Sequence, residues 1–157
     1  PDNYVYIYSP SNKSKSFSLQ GKIELKPDYF KYPLVLNRRD DLNKVGKALL
    51  ANSNYSSMVV NSEYLAIVYT AGISEEILKN IDASDLKAMS ELSATYSKSY
   101  AMIYKDGVKI SRDIELPFEI INFATFTNQN EVLAIPHKLR VESPDKEKWY
   151  FYRFEEL

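Results

Sequence analysis

Chemistry in this chain has few residue types to draw on. His137 is the single histidine and cysteine is absent. A multi-histidine zinc site, a cysteine metal site and a Cys–His pair are therefore excluded within one chain. Serines are plentiful, so a Ser–His–Asp arrangement is formally available. No G-x-S-x-G occurs, however, and Ile135-Pro136-His137-Lys138 reads as the loop after a strand. His137 is expected as a surface or interface histidine and is kept as a candidate ligand contact, without a catalytic role. Paired carboxylates stand at Asp40-Asp41, Glu75-Glu76, Asp82 with Asp85, and Glu155-Glu156. Glycoside hydrolysis needs two carboxyls roughly 5 to 10 Å apart across a cleft. Each pair here also has a structural use as helix cap, first-turn charge or solvated tail. Gly21, Gly46, Gly72 and Gly107 are too scattered for a phosphate loop or a dinucleotide fingerprint, and no EF-hand pattern is present. No catalytic residue, metal or cofactor is expected.

Tyrosine is the other candidate. The chain carries 13 Tyr, 7 Phe and 1 Trp in 157 residues. Tyrosine offers a broad rigid face and a hydroxyl, which suits a sugar-stacking or peptide-binding platform. Most tyrosines fall in expected strands, where packing between sheets accounts for them. Tyr29 and Tyr32 fall instead in the proline-bearing connection KPDYFKYPLVL, and they are the expected binding residues.

Composition bounds what these residues can serve. The chain is 45% hydrophobic and 26% charged, which suits one ordered domain with a sizeable core. Twenty Lys and Arg against 21 Asp and Glu give a net charge of -1, which removes the usual electrostatic argument for nucleic acid or an anionic membrane surface. No segment approaches the run of about 18 apolar residues that spans a membrane.

The positioning elements are mostly strands. YVYIY (4–8) and SFSLQGKIEL (16–25) read as a hairpin across a Ser/Asn/Lys turn. Leu42, Val45, Leu49 and Leu50 follow Asp40 or Asp41 at helical spacing, with Asn52 to Asn54 to stop the helix and Gly46 to weaken it. NYSSMVV and EYLAIVYT form a hairpin around Asn61-Ser62, and the second strand is apolar on both faces. Residues 74–98 suit one or two short helices. Tyr100 to Tyr104, a Lys105-Asp106-Gly107 turn and Val108 to Leu116 form the clearest hairpin. Another is expected around Asn128-Gln129-Asn130. The tract KWYFYRFEEL closes the chain; in a strand, Trp149, Phe151 and Arg153 share one face and Tyr150, Tyr152 and Phe154 the other. Both faces are aromatic, so both are expected to be covered. Short strands every 8 to 12 residues, with helices in two inserts, give a mainly β class of sandwich, barrel or propeller type.

Several stretches sharpen this. YVYIYSPSNKSKSFSL, SNYSSMVVNSEYLAIVYT, YSKSYAMIYKDGVKISRDIELP and FATFTNQNEVLAIPHKLRVESPDKEKWYFYRFEEL resemble, in order, the last two blades of the TolB-like six-bladed β-propeller proteins of Bacteroidetes envelopes. The resemblance implies antiparallel propeller-type blades with one or two helical inserts, in blade-like pieces of about 1–25, 54–116 and 118–157 within a single unit 1–157. It implies an envelope, periplasmic or extracellular location and a non-enzymatic binding or scaffold role through loop ends, toward protein or glycan. Roughly nine strands cannot close a ring whose six blades of four need about twenty-four. The chain is therefore expected to be the C-terminal part of a longer propeller, with the N-terminal remainder or a second copy as partner. PDNYVYIY has no initiator Met and no charged-then-apolar signal segment, as expected if a leader was removed or if the start is a proteolytic or otherwise chosen boundary. Two alternatives stay open. One is a propeller hydrolase or lyase with a central-channel site; the other is an independent α+β interaction domain whose helices cover one sheet face.

Overall fold

Alternation of β-branched and aromatic residues with polar ones makes strands here, and apart from one short strand of the central sheet the strands pair with neighbours in sequence. The structure is a computed structural model and describes residues 3–10, 16–32, 36, 37, 39–141 and 150–153. Among them the chain is mainly β, with three antiparallel sheets and three helices. Tyr4–Pro10 (β1) and Phe17–Glu24 (β2) form the first sheet. The central sheet runs Asn54–Val60 (β3), Tyr64–Ala71 (β4), Lys98–Lys105 (β5) and the short Val108–Lys109 (β6), while Ile114–Glu115 (β7) also pairs with β5. Ile120–Phe126 (β8), Glu131–Pro136 (β9) and Tyr150–Arg153 (β10) make the third.

β4 and β5 are apolar on both faces, and both faces are buried. Register sets the faces: Leu65, Ile67 and Tyr69 stand opposite Tyr104, Met102 and Tyr100, whereas Ala66 and Val68 stand opposite Ile103 and Ala101. The first set packs with Val5, Ile23 and Leu25 from the first hairpin and with Phe30. The second packs on Ile120, Phe123, Val132 and Ala134 of the third sheet. A sheet covered on each side by another sheet needs no helix on its faces.

The helices lie elsewhere. Leu42–Ala51 (α1) starts at Asp41, whose side chain accepts from Lys44 N at 2.7 Å, and stops at Asn52. Glu75–Leu78 (α2) and Leu86–Tyr96 (α3) start at Ser74 and Asp85. They pack on one another around Leu50, Ala51, Ile73, Leu78 and Ala83. Arg140, in the 3-10 turn Lys138–Arg140, joins α3 to the third sheet. Its guanidinium donates to Ser93 O at 2.9 Å, Ser97 O at 3.0 Å and Phe118 O at 3.0 Å. Ser97 is the C-cap of α3, where carbonyls lack intrahelical partners, while Ser93 O accepts from Ser97 N as well as from Arg140.

Two expectations need correction. Residues 108–116 are not one strand, because between β6 and β7 the chain leaves the ladder and Asp113 turns inward. Nor are the described residues of the terminal tract, 150–153, covered on both faces. Tyr150 and Tyr152 pack on the core shared by the central and third sheets, while Phe151 on the other face is 58% exposed. No further sheet lies beyond β8–β10 among the described residues to cover it. Trp149, Phe154, Glu155 and Glu156 lie outside the described residues.

Candidate functional site

Residues 26–32 cross the buried Tyr face of the central sheet without forming a regular element, and irregular backbone there must find its hydrogen bonds elsewhere. It finds them on side chains far away in sequence. Lys26 N donates to Tyr104 OH at 3.2 Å, Asp28 N to Asp113 Oδ2 at 2.6 Å, Tyr29 N to Tyr69 OH at 3.1 Å and Lys31 N to Ser53 Oγ at 2.8 Å. Ser53 N returns a bond to Lys31 O at 3.1 Å. The loop is therefore held by the sheet beneath it.

Asp113 is the centre of that hold. Its side chain is fully buried, accepts from Tyr69 OH, and lies 2.6 Å from the Lys109 ammonium. Lys109 also reaches Asp28 Oδ1 at 3.2 Å and Lys26 O at 2.8 Å, and Asp113 N donates back to Asp28 Oδ2 at 2.9 Å. Donation from Asp113 N holds the Asp28 carboxyl below its ordinary range, with Lys109 adding to it. Burial works to lower Lys109, but its bonds and charge contacts with Asp113 and Asp28 outweigh that and raise it. Burial, and then its bond to Asp113, pushes the Tyr69 hydroxyl far up, so Tyr69 stays a neutral donor.

Aromatic rings cover this network. Tyr29 stacks on Tyr100 at 4.6 Å between centroids, and Tyr100 on Tyr69 at 5.6 Å. Phe30 stacks on Tyr55 at 4.8 Å and meets Tyr32 edge-on at 5.7 Å. Burial pushes Tyr55 up to about 12. Tyr32 OH accepts from Asn3 Nδ2 at 3.1 Å. The outer rings remain open, Tyr29 at 51% and Tyr32 at 59% exposure. Beside Tyr29 runs an open groove of about 520 Å³, walled by residues 28–31 on one side and Ser74, Ile77 and Tyr96 on the other.

Tyr29 and Tyr32 thus share one ledge, and His137 does not join them. It lines a small recess of about 210 Å³ with Thr70, Ile121 and Arg140, on the third-sheet side of the central sheet. There its Nδ1 accepts from Leu139 N at 3.4 Å, and burial, followed by the charge of Arg140, lowers its pKa. It caps the 3-10 turn.

The carboxylate pairs take local roles. Asp41 and Asp85 cap α1 and α3, Asp40 accepts from Asn37 N and Lys44, and Asp82 accepts from Ser84. Among the described residues no group of three or more His, Asp or Glu side chains is placed to hold a metal. A second groove, of about 550 Å³ between α1 and α2, contains none of the expected site residues.

Sequence reading missed Tyr100, Tyr96 and Asp113. The polar run Ser111-Arg112-Asp113, interrupting an otherwise apolar strand pattern, was the available signal for Asp113. The arrangement defines a mainly β protein of stacked antiparallel sheets that carries a fixed aromatic ledge. Comparison with protein-family models, with curated proteins and with solved structures found no match. No helix among the described residues is long and apolar enough to cross a membrane.

Proposed function

We propose that the chain is a non-enzymatic binding or scaffold unit of β-propeller type, acting in the cell envelope and contacting protein or glycan through loop ends. The observation that carries this reading is the 26–32 loop. Its amides are tied to the central sheet while two tyrosine rings stand in solvent. Ordering such a loop in advance removes an entropy loss that binding would otherwise bear. The test is NMR titration of the labelled chain with panels of peptides and oligosaccharides. Ligand-induced shifts are expected at residues 28–32 and in the groove beside them. The double variant Tyr29→Ala, Tyr32→Ala is expected to weaken binding by tenfold or more, with some fall in melting temperature from the lost ring contacts and with circular dichroism checking that the fold is kept. Shifts confined to other surfaces, or full binding by the double variant, would remove the ledge from the function.

Stacking supports the propeller part. The central sheet is sandwiched between sheets, and the outermost faces leave large apolar side chains open beside charged ones, with Phe17 72% exposed on the first sheet and Phe151 on the third beside the Arg153–Glu131 pair. In this reading the rest of a propeller or a second copy covers them. Light scattering on the purified chain is expected to give a mass above 18.1 kDa through self-association. A monodisperse particle at the monomer mass over a wide concentration range would count against it.

A further inference from the structure

Resting on the reading of the 26–32 loop as the binding element, we infer that the groove between Tyr29 and Tyr96 takes a neutral saccharide chain. Three observations select this ligand class. First, the charges lining the groove are already engaged. Lys98 pairs with Glu115 at 2.9 Å, the Lys31 ammonium donates to Gly72 O at 3.0 Å and Ile73 O at 3.4 Å, and Asp28 is held by Lys109 and Asp113 N. An ionic ligand would have to displace one of these partners.

Second, the floor offers no free main chain. Gly72 N donates to Ser53 Oγ at 3.2 Å and Ile73 N to Leu50 O at 2.8 Å, their carbonyls serve Lys31, and Ala71 pairs with Lys98 in the ladder. A peptide strand binds by pairing with an open edge, and the floor of this groove has none.

Third, the tyrosines are what remain available. Tyr29 and Tyr96 are 51% and 48% exposed, and their hydroxyls bond to no described residue. A pyranose ring presents a C–H face to an aromatic ring and hydroxyls that both donate and accept, which matches an exposed ring with an unused phenol. The volume of about 520 Å³ falls within the range of small-ligand sites.

The experiment titrates the labelled chain separately with neutral cello-, malto- and manno-hexasaccharides, an acidic oligogalacturonide, and an extended uncharged decapeptide. At least one neutral set is expected to shift the amides of Tyr29, Gly72, Ile73 and Lys98. Tyr29→Ala and Tyr96→Ala should each weaken it about tenfold, while Tyr29→Phe and Tyr96→Phe, which keep the ring, should retain most of it. Circular dichroism of each variant checks that the fold is kept. Shifts at these amides with the acidic oligosaccharide or the peptide but with no neutral set overturn the ligand class and leave the loop as a binding element. Neutral oligosaccharides that shift only other surfaces, or that bind the Ala variants unchanged, overturn the groove. Loss of both inferences follows if no member of any set shifts residues 28–32.

Discussion

Asp113→Ala is expected to destabilise the protein by about 3 to 5 kcal/mol, the range for breaking a buried ion pair from one side. The carboxylate is fully buried, and its removal strands three partners at once. Lys109 loses the nearer of its two carboxylates, Tyr69 OH loses its acceptor, and Asp28 N is left without one. Lys109 keeps Asp28 and Lys26 O, but the buried Tyr69 hydroxyl and the half-buried Asp28 N are left without acceptors, so the cost exceeds that of a lost contact. Urea unfolding read by linear extrapolation measures it. Tyr69→Phe should cost less, about 1 to 3 kcal/mol, since the carboxylate keeps Lys109 and Asp28 N. In the double variant the two losses should not add, because both remove the same hydrogen bond. An Asp113→Ala change below about 1 kcal/mol would mean that Asp113 does not hold the loop.

Gly46→Ala is expected to destabilise, although propensity alone predicts the opposite sign by about 1 kcal/mol. Gly46 is buried inside α1, and a Cβ there would lie 1.8 Å from Ala83 O and 2.8 Å from Ala83 C. Those are backbone atoms, and the segment cannot withdraw cheaply: Ala83 N donates to Asn43 Oδ1 at 2.9 Å, and the Ala83 side chain is packed among Leu50, Ile73 and Leu78. Overpacking of this kind costs about 1 to 3 kcal/mol and more where backbone must move. In a chain of 157 residues each kcal/mol lowers the melting temperature by about 2 to 4 °C. Gly21→Ala, with nothing within 4 Å of the added atom, is the control and should change little. A Gly46→Ala protein that melts higher than the parent would show that the helix propensity term wins.

Local signals read well in this chain because local chemistry decides them. Asp40 or Asp41 as cap and Asn52 to Asn54 as stop bracket α1, whose caps are Asp41 and Asn52, and Gly107 at φ 80 makes the turn after β5. The continuous apolar run in EYLAIVYT reported a strand buried on both faces, as β4 is. What was not legible depends on distant partners. The polar run Ser111-Arg112-Asp113 marks where the break between β6 and β7 falls, but nothing in residues 108–116 tells that the carboxylate at 113 is wanted by a tyrosine 44 positions earlier. The same holds for KWYFYRFEEL: aromatic residues on two faces say that both sides suit burial, but not that a sheet is present on each. Tyr29 and Tyr32 were legible as loop aromatics, since prolines set the loop apart. Their support by Tyr69, Tyr100 and Ser53 was not, because those residues belong to other elements.

The sequence separations in the loop's hold have a consequence for the order of folding. The hairpins β1–β2, β3–β4 and β8–β9 join neighbours across short turns, so their closure entropy is small and they can form early. The ties on residues 26–32 instead span 22, 40, 78 and 85 positions. A chain emerging from the ribosome would carry Tyr29 and Tyr32 for most of its synthesis without a fixed place for them. Their arrangement is completed only after residue 113 has emerged and turned inward.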